Sequence, residues 1–200
     1  MGTKKLIVVI WLGILLVAVG TLFWYNELQY QLPTPIPADY QAVKPGQYIK
    51  EAALLNTAHT KPLFLHFFNP DCPCSRFNIK QFKDLVHLYG PSINFVVVVL
   101  NNDKYTVKQI QDKFDLQIPV IFNKPLAVAC GVYSTPQVAL LDNDNKLYYR
   151  GNYNRSRYCT DEKTSYAKTA INGLLNNHQQ LTFSRLALLS YGCKLPNCKQ

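Results

Sequence analysis

Two cysteines separated by one residue mark the part of the sequence best suited to chemistry. In Phe67-Phe-Asn-Pro-Asp-Cys72-Pro-Cys74-Ser75, an apolar stretch delivers Cys72 to the start of a segment with helical periodicity. Unpaired N–H groups and the positive end of the helix dipole at such a position lower the pKa of a thiol below its usual value of about 8.5. Because the thiolate is the nucleophile in disulfide exchange, the pattern predicts a reactive Cys72. Pro73 suits the first helical turn, where its missing N–H costs nothing.

The elements that would position these cysteines follow from the spacing of apolar residues. An unbroken apolar run at 63–68 predicts a buried strand, and apolar positions at helical spacing over 73–89 predict an amphipathic helix that Gly90-Pro91 ends. The remaining predicted elements are a short helix at 47–59, a strand at 93–100, a helix at 104–114, a strand at 119–122, a helical turn at 126–132, a hairpin of 137–141 with 146–150, and a helix at 161–176.

These elements alternate between strands and helices and end in a hairpin and a helix, an order that predicts an α/β fold. Long crossovers imply parallel strand pairs and the tight hairpin implies an antiparallel pair, so the central sheet is mixed. The unbroken apolar run of 93–100 suits a strand covered by helices on both faces. The sequence therefore predicts a three-layer sandwich within one domain, because 200 residues rarely hold two full cores.

The N-terminus predicts a membrane anchor. After Lys4 and Lys5, residues 6–25 carry no charge, and twenty residues of helix span roughly the 30 Å hydrocarbon core of a bilayer. Trp24 and Tyr25 suit the far interface, and the two lysines favour a cytoplasmic N-terminus. The alternative is a cleaved signal peptide, which usually has a shorter apolar region and a small-residue cleavage site. In either case the rest of the chain is expected outside the cytoplasm, in the periplasm or an equivalent compartment.

The chain is accordingly predicted to comprise a transmembrane anchor at 1–25, a proline-containing linker at 26–46, a folded domain at 47–180 and a C-terminal tail at 181–200. The formal net charge is +9, of which about +7 remains beyond the anchor. The simplest interpretation of this charge is a generally basic solvated surface. If it marks a partner, an exported domain favours anionic lipid or an acidic protein over nucleic acid.

The motif around Cys72 resembles that of the thioredoxin superfamily, in particular its membrane-anchored, exported thiol-disulfide oxidoreductases. The resemblance covers about residues 47–176 and includes Thr135-Pro136, which precedes the hairpin about sixty residues after Cys72. It implies a thioredoxin-like sandwich that acts on thiols and disulfides of exported proteins. Cys72 would be the attacking cysteine, Pro136 the cis-proline that faces it, and Thr135 a source of backbone groups for a bound substrate strand.

The cysteine spacing departs from the family's usual Cys-x-x-Cys. Ser75 stands at the usual resolving position, and Cys74 lies about 200° around a regular helix from Cys72. Three possibilities remain open: Cys74 resolves through a distorted first turn, a distant cysteine resolves, or Cys72 works alone. The distant candidates are Cys130, Cys159 and Cys193.

The other cysteines give weaker signals. Cys130 lies among small apolar residues, which is typical of a core position, whereas Cys159 follows a basic loop that would favour a thiolate and is a possible resolving cysteine. Cys193 and Cys198 are close in sequence and are expected to form a local disulfide.

Two alternative functions use the same motif. A peroxiredoxin-like peroxidase usually has Thr or Ser three residues before its reactive cysteine, where this chain has Asn69. A Cu(I)-binding assembly redoxin would hold the metal with Cys72 and Cys74, although such proteins usually have Cys-x-x-x-Cys and a later histidine. No zinc-site spacing or Gly-rich phosphate loop is present, so no cofactor or resident metal is expected. The redox interpretation requires an accessible Cys72 with Pro136 close by.

Overall fold

The computed structural model describes residues 2–28, 32–55, 60–100, 104–155, 162–177 and 181–194. The chain divides into two compact units, Met1–Leu32 and Pro33–Gln200. In the first unit, helix α1 (Thr3–Phe23) continues into a π-helical turn at Trp24–Leu28, and none of the side chains of α1 is buried. By length and composition this helix is able to cross a membrane.

The second unit is built on a mixed five-stranded sheet in the order β3-β2-β1-β5-β6. Strands β1, β2 and β3 are parallel, and β5 and β6 continue the sheet in antiparallel pairing. Two further strands, β4 and β7, form a separate antiparallel pair. The strands are β1 Leu63–Phe68, β2 Asn94–Val99, β3 Val120–Phe122, β4 Ser134–Thr135, β5 Gln137–Leu141, β6 Leu147–Gly151 and β7 Cys193–Lys194.

Helices cover both faces of this sheet. They are α2 Lys50–Ala53, α3 Pro73–Tyr89, α4 Val107–Phe114, α5 Lys124–Ala129, α6 Tyr166–Leu175 and α7 Arg185–Leu188, with a 3₁₀ turn at Glu162–Thr164. Alternate residues of β1 enter opposite cores: Phe64 packs in one core with α3, α4 and α6, and Leu65 packs in the other with α2 and α5. The unbroken apolar run of β1 is explained by this central position. The predicted three-layer sandwich, with a mixed sheet between two helical layers, is confirmed.

Most predicted elements are present, with shifts at their ends. Helix α3 has the predicted bounds, whereas α4 begins three residues later than predicted because Thr106 caps it with a capping box that includes Gln109. Helix α5 starts after Asn123, whose side chain accepts a hydrogen bond from the amide of Leu126. The short helix predicted at 47–59 is limited to α2 among the described residues, and 56–59 lie outside them.

The predicted linker and tail boundaries do not coincide with those of the compact unit. That unit begins at Pro33 rather than at residue 47, and the amide of Thr34 donates a 2.8 Å hydrogen bond to the carbonyl of Ser190. The amide of Gly46 likewise donates to the carbonyl of Leu147 at 2.7 Å. Residues 33–46 and 181–194 therefore belong to the folded unit, because their backbone partners lie far away in the sequence.

A buried asparagine fixes the C-terminal part of this unit. The side-chain amide of Asn152 donates to the carbonyls of Leu186 and Leu189 at 2.9 and 2.6 Å. The ring of Tyr149 lies 4.4 Å from that of Phe183, measured between centroids. Helix α7 is thus held against the end of β6. This contact also determines where β7, the strand that follows α7, begins.

Candidate active site

Cys72 is the residue that caps the N-terminus of α3. Its backbone is extended (φ −79°, ψ 122°), and Pro73 follows it in the first helical turn. The carbonyl of Cys72 accepts a 3.1 Å hydrogen bond from the amide of Arg76, so the first turn of this 17-residue helix is regular. Sequence and structure agree on this placement, which puts the Cys72 sulfur at the positive end of the α3 dipole.

Cys72 forms a disulfide with Cys193. The two residues are 121 positions apart in sequence, and their Cα atoms are 6.3 Å apart, within the range usual for disulfides. The predicted Cys193–Cys198 disulfide is wrong. Cys193 lies on β7, where it is paired opposite Thr135 of β4, and this pairing brings it beside the start of α3. Cys198 lies outside the described residues.

The Thr135-Pro136 segment lies next to Cys72, as the resemblance implied. The peptide bond between Thr135 and Pro136 is cis. The Sγ atom of Cys72 is 3.7 Å from the carbonyl oxygen of Thr135, a van der Waals contact because a disulfide sulfur carries no hydrogen. Strands β1 and β5 are antiparallel neighbours in the sheet. The loop after β1 and the segment before β5 therefore lie at the same end of these two strands.

Cys74 is not the partner of Cys72. Its side chain is a buried thiol on α3 and forms no disulfide with a described residue. Ser75, also buried, accepts a 3.3 Å hydrogen bond from the amide of Asn69, which ties the loop after β1 to the helix. A Cys72–Cys74 disulfide would require this regular first turn to unwind. Catalytic roles for Cys74, Thr135 and Pro136 stay predictions.

The remaining cysteines are placed away from the disulfide or not described. Cys130 ends α5 in the core formed with α2, and burial raises the pKa of its thiol far above the ordinary value. A thiol in that condition is a poor nucleophile at neutral pH, in keeping with its prediction as a small core residue. Cys159 lies outside the described residues, so its possible resolving role stays a prediction.

A charged cluster lies beside the turn that precedes Cys72. Asp71 accepts hydrogen bonds from the Tyr105 hydroxyl at 2.7 Å and from the Lys104 ammonium at 3.0 Å. Partial burial by itself would raise the pKa of Asp71, but these bonds and the positive charges of Lys104 and Lys113 lower it on balance. Asp71 therefore stays ionised, and its contacts tie the segment before Cys72 to the chain beyond β2.

Accessibility is the one requirement of the redox interpretation that this disulfide-bonded state does not meet. Cys72 has no exposed surface, and Cys193 is 7% exposed. The expectation of an accessible sulfur is therefore wrong for this state. A sulfur buried in this way reaches a second protein only when the residues around it move.

Two hydrogen bonds and one backbone conformation near the disulfide were not predicted from the sequence. The Gln137 side chain donates a 2.6 Å hydrogen bond to the hydroxyl of Ser190, and the Thr34 hydroxyl donates a 3.1 Å bond to the carbonyl of Gly192. Gly192 itself has a φ of +126°. The only sequence signal for this arrangement was the Gly192-Cys193 dipeptide, because the partners lie far apart in the chain. Among the described residues, no group of three His, Cys, Asp or Glu side chains is placed to hold a metal ion.

Comparison with known proteins agrees with this architecture. The family described as a domain of unknown function (DUF6436) matches residues 41–195. The chain belongs to this family. The match extends over both the Thr135-Pro136 segment and Cys193, so the DUF6436 region includes each half of the disulfide and the proline loop beside it. No curated protein matches the chain.

Solved structures share the fold of this DUF6436 domain at low sequence identity. A hypothetical protein from Sinorhizobium meliloti has a TM-score of 0.62 at 15% identity, over 78% of this chain and 96% of its own. An uncharacterized conserved protein from Geobacillus kaustophilus has a TM-score of 0.56 at 20% identity, over 68% and 76% of the two chains. The thioredoxin domain of a thiol-disulfide oxidoreductase from Bacteroides vulgatus also matches, with a TM-score of 0.47 at 12% identity, over 61% and 98%. At such identities the likeness concerns the fold.

Proposed function

We propose that this protein is a membrane-anchored thiol-disulfide oxidoreductase that acts on exported proteins, with Cys72 as the attacking cysteine and Cys193 as the resolving cysteine. The observation that carries the proposal is the disulfide between a cysteine capping a long helix and a cysteine paired opposite Thr135. Two cysteines so placed form a reversible two-electron couple, and the helix N-terminus stabilises the thiolate of Cys72 in the reduced form.

The exchange reaction balances with these two residues alone. The Cys72 thiolate attacks one sulfur of a partner disulfide, and the other partner sulfur leaves as a thiolate that takes a proton from solvent. The Cys193 thiolate then attacks the Cys72 sulfur and releases the second partner thiol. Two electrons and two protons pass from the dithiol to the partner disulfide, and every step is reversible. Backbone groups of Thr135, beside Pro136, would hold the partner chain during the exchange.

The position relative to a membrane rests on α1. Its apolar sequence and the lysines that precede the apolar run favour an anchor with a cytoplasmic N-terminus and the folded unit on the opposite side. Intact-mass analysis of the protein from a membrane fraction tests this part. Retention of residues 1–25 supports the anchor, and their loss identifies a cleaved signal peptide.

The chemistry is tested with the reduced full chain in detergent micelles and bis(2-hydroxyethyl) disulfide as the oxidant. The native chain should return to the Cys72–Cys193 disulfide. The Cys193→Ser variant should accumulate a mixed disulfide with 2-mercaptoethanol that peptide mapping places on Cys72. Cys130→Ala is the matched control and should behave as the native chain, because Cys130 lies in the core between α2 and the sheet.

The proposal fails if Cys72 acquires no adduct in Cys193→Ser, or if Cys72→Ser still consumes the oxidant at the native rate. Adducts confined to other cysteines would have the same meaning. This assay separates the chemistry of Cys72 from the identity of the natural partner.

A further inference from the structure

One edge of strand β4 is occupied by a short segment of the same chain. In the described part of the protein, β4 pairs with β7 in a two-stranded sheet, with Thr135 opposite Cys193 and Ser134 opposite Lys194. Ser134 and Thr135 are fully buried. Because backbone groups require hydrogen-bond partners, a strand that left β4 would leave groups that water or a second strand could satisfy.

The segment that occupies this edge, residues 190–194, is called here the cover segment. It is held mainly by hydrogen bonds that an extended peptide could also make. Thr34 donates from its amide to the carbonyl of Ser190 at 2.8 Å and from its hydroxyl to the carbonyl of Gly192 at 3.1 Å. Both acceptors are backbone carbonyls, which any peptide possesses. Exchange of the cover segment for a second strand therefore breaks and restores bonds of the same kind.

The cover segment is able to move without unfolding the element before it. Helix α7 ends at Leu188, and the side chain of Asn152 holds the carbonyls of Leu186 and Leu189 independently of the disulfide. Once the Cys72–Cys193 bond is reduced, the movement that exposes Cys72 is confined to the residues after this anchor.

Gly192 restricts which sequence fits this edge. A Cβ atom added at Gly192 would collide with the carbonyl oxygen of Thr135, and the φ of +126° is disfavoured for residues with side chains. The collision is with backbone, which cannot rotate away as a side chain would. A second strand that binds in the same register and with the same backbone conformation meets the same oxygen, so it also needs glycine directly before the cysteine that faces Cys72.

We propose that the cover segment is an internal substrate, and that the partner which displaces it is an extended protein segment with glycine immediately before its reactive cysteine. This inference rests on the proposed function and names the substrate class of the same site. The displaced segment leaves while the Cys72 thiolate attacks the sulfur of the partner cysteine, and the other sulfur of the partner's disulfide departs as a thiolate that solvent protonates. On its return, Cys193 attacks Cys72, and the partner cysteine departs as a thiolate that solvent protonates. Its return thus releases the product.

The test uses the reduced Cys193→Ser full chain in detergent micelles with two peptide probes. The probes are the symmetric disulfides of Ser-Tyr-Gly-Cys-Lys, which copies residues 190–194, and of Ser-Tyr-Ala-Cys-Lys. The rate of adduct formation on Cys72 is followed by intact mass and peptide mapping. We expect the glycine peptide to react about tenfold faster or more, because the alanine peptide must adopt a strained backbone or shift its register.

A second comparison measures displacement of the cover segment. Thr34→Val, added to Cys193→Ser, removes the hydroxyl bond to Gly192 and should increase the rate with bis(2-hydroxyethyl) disulfide severalfold, because this small oxidant has no peptide carbonyl to make the same bond. Thr169→Val is the matched control, because the Thr169 hydroxyl also bonds a carbonyl, that of Ser165 within α6, at 3.0 Å. The control should leave the rate unchanged.

Each result decides the inference. A glycine preference together with acceleration by Thr34→Val supports it. Equal rates for the two peptides, or acceleration by neither or both threonine variants, overturn it. If bis(2-hydroxyethyl) disulfide still modifies Cys72 in that case, the oxidoreductase function stands without the internal substrate. If no disulfide probe modifies Cys72, both proposals are overturned.

Discussion

A buried histidine should make the stability of the folded unit depend on pH. His66 lies on the central strand β1 and has no exposed surface. Its ring stacks on Phe82 at 4.3 Å between centroids, and its Nδ1 atom shares a 2.7 Å hydrogen bond with the hydroxyl of Tyr153. The Nε2 atom has no partner within the described residues. Burial lowers the pKa of His66 to about 3, because the charged ring would lose its hydration.

The magnitude follows from the difference between the folded and unfolded states. In the unfolded chain His66 titrates at the ordinary value of 6.5, so between pH 6.5 and 3 the unfolded state binds a proton that the folded state does not. Stability is therefore fully present above pH 6.5 and is lost as the pH falls. From pH 7 to pH 5 the loss amounts to about 2 kcal/mol in the free energy of unfolding, at about 1.4 kcal/mol for each pH unit below 6.5.

Urea unfolding at pH 7 and pH 5, followed by far-ultraviolet circular dichroism, measures this loss. His66→Asn should lower stability at both pH values and should remove about 2 kcal/mol of the pH dependence, because asparagine does not titrate. His87→Asn is the control, since His87 is an exposed residue in the last turn of α3 and its replacement leaves the loss from His66 in place. The reasoning is refuted if His66→Asn retains the native difference between the two pH values.

Three further predictions concern the C-terminal segment. Reduction of the Cys72–Cys193 disulfide should lower the free energy of unfolding in urea by up to about 5 kcal/mol, since the bond closes a long loop; an unchanged midpoint would contradict this. Gly192→Ala should expose Cys72 in the reduced chain and raise the rate at which maleimide labels Cys72 about tenfold. A labelling rate equal to that of the reduced native chain would contradict the steric argument. Asn152→Ala should lower the free energy of unfolding by about 1–3 kcal/mol, because two hydrogen bonds are lost, and should speed proteolysis after residue 181. Asn172→Ala is the control and should have neither effect, because the Asn172 side chain bonds Tyr89 at an exposed position.

Local sequence determined the part of the site that lies close together in the chain. The apolar run of β1, the breaker at Asn69-Pro70 and the helical period after Pro73 are short-range features, so they placed Cys72 at the start of α3 without knowledge of the fold. The resemblance to the thioredoxin superfamily implied that the Thr135-Pro136 segment lies beside Cys72, and it lies there. The mixed sheet followed from the same periodicities.

Only the tertiary structure decided which cysteine joins Cys72 and what covers the site. Six cysteines allow many pairings, and spacing favours near neighbours such as Cys193 and Cys198. In the structure, β7 instead places Cys193 beside Cys72, which is 121 residues away in the sequence. The backbone contacts that join residues 33–46 to Ser190 and Leu147 were also beyond local pattern. In each case the deciding partner is remote in sequence, and a contact of this kind forms only when the whole chain has packed.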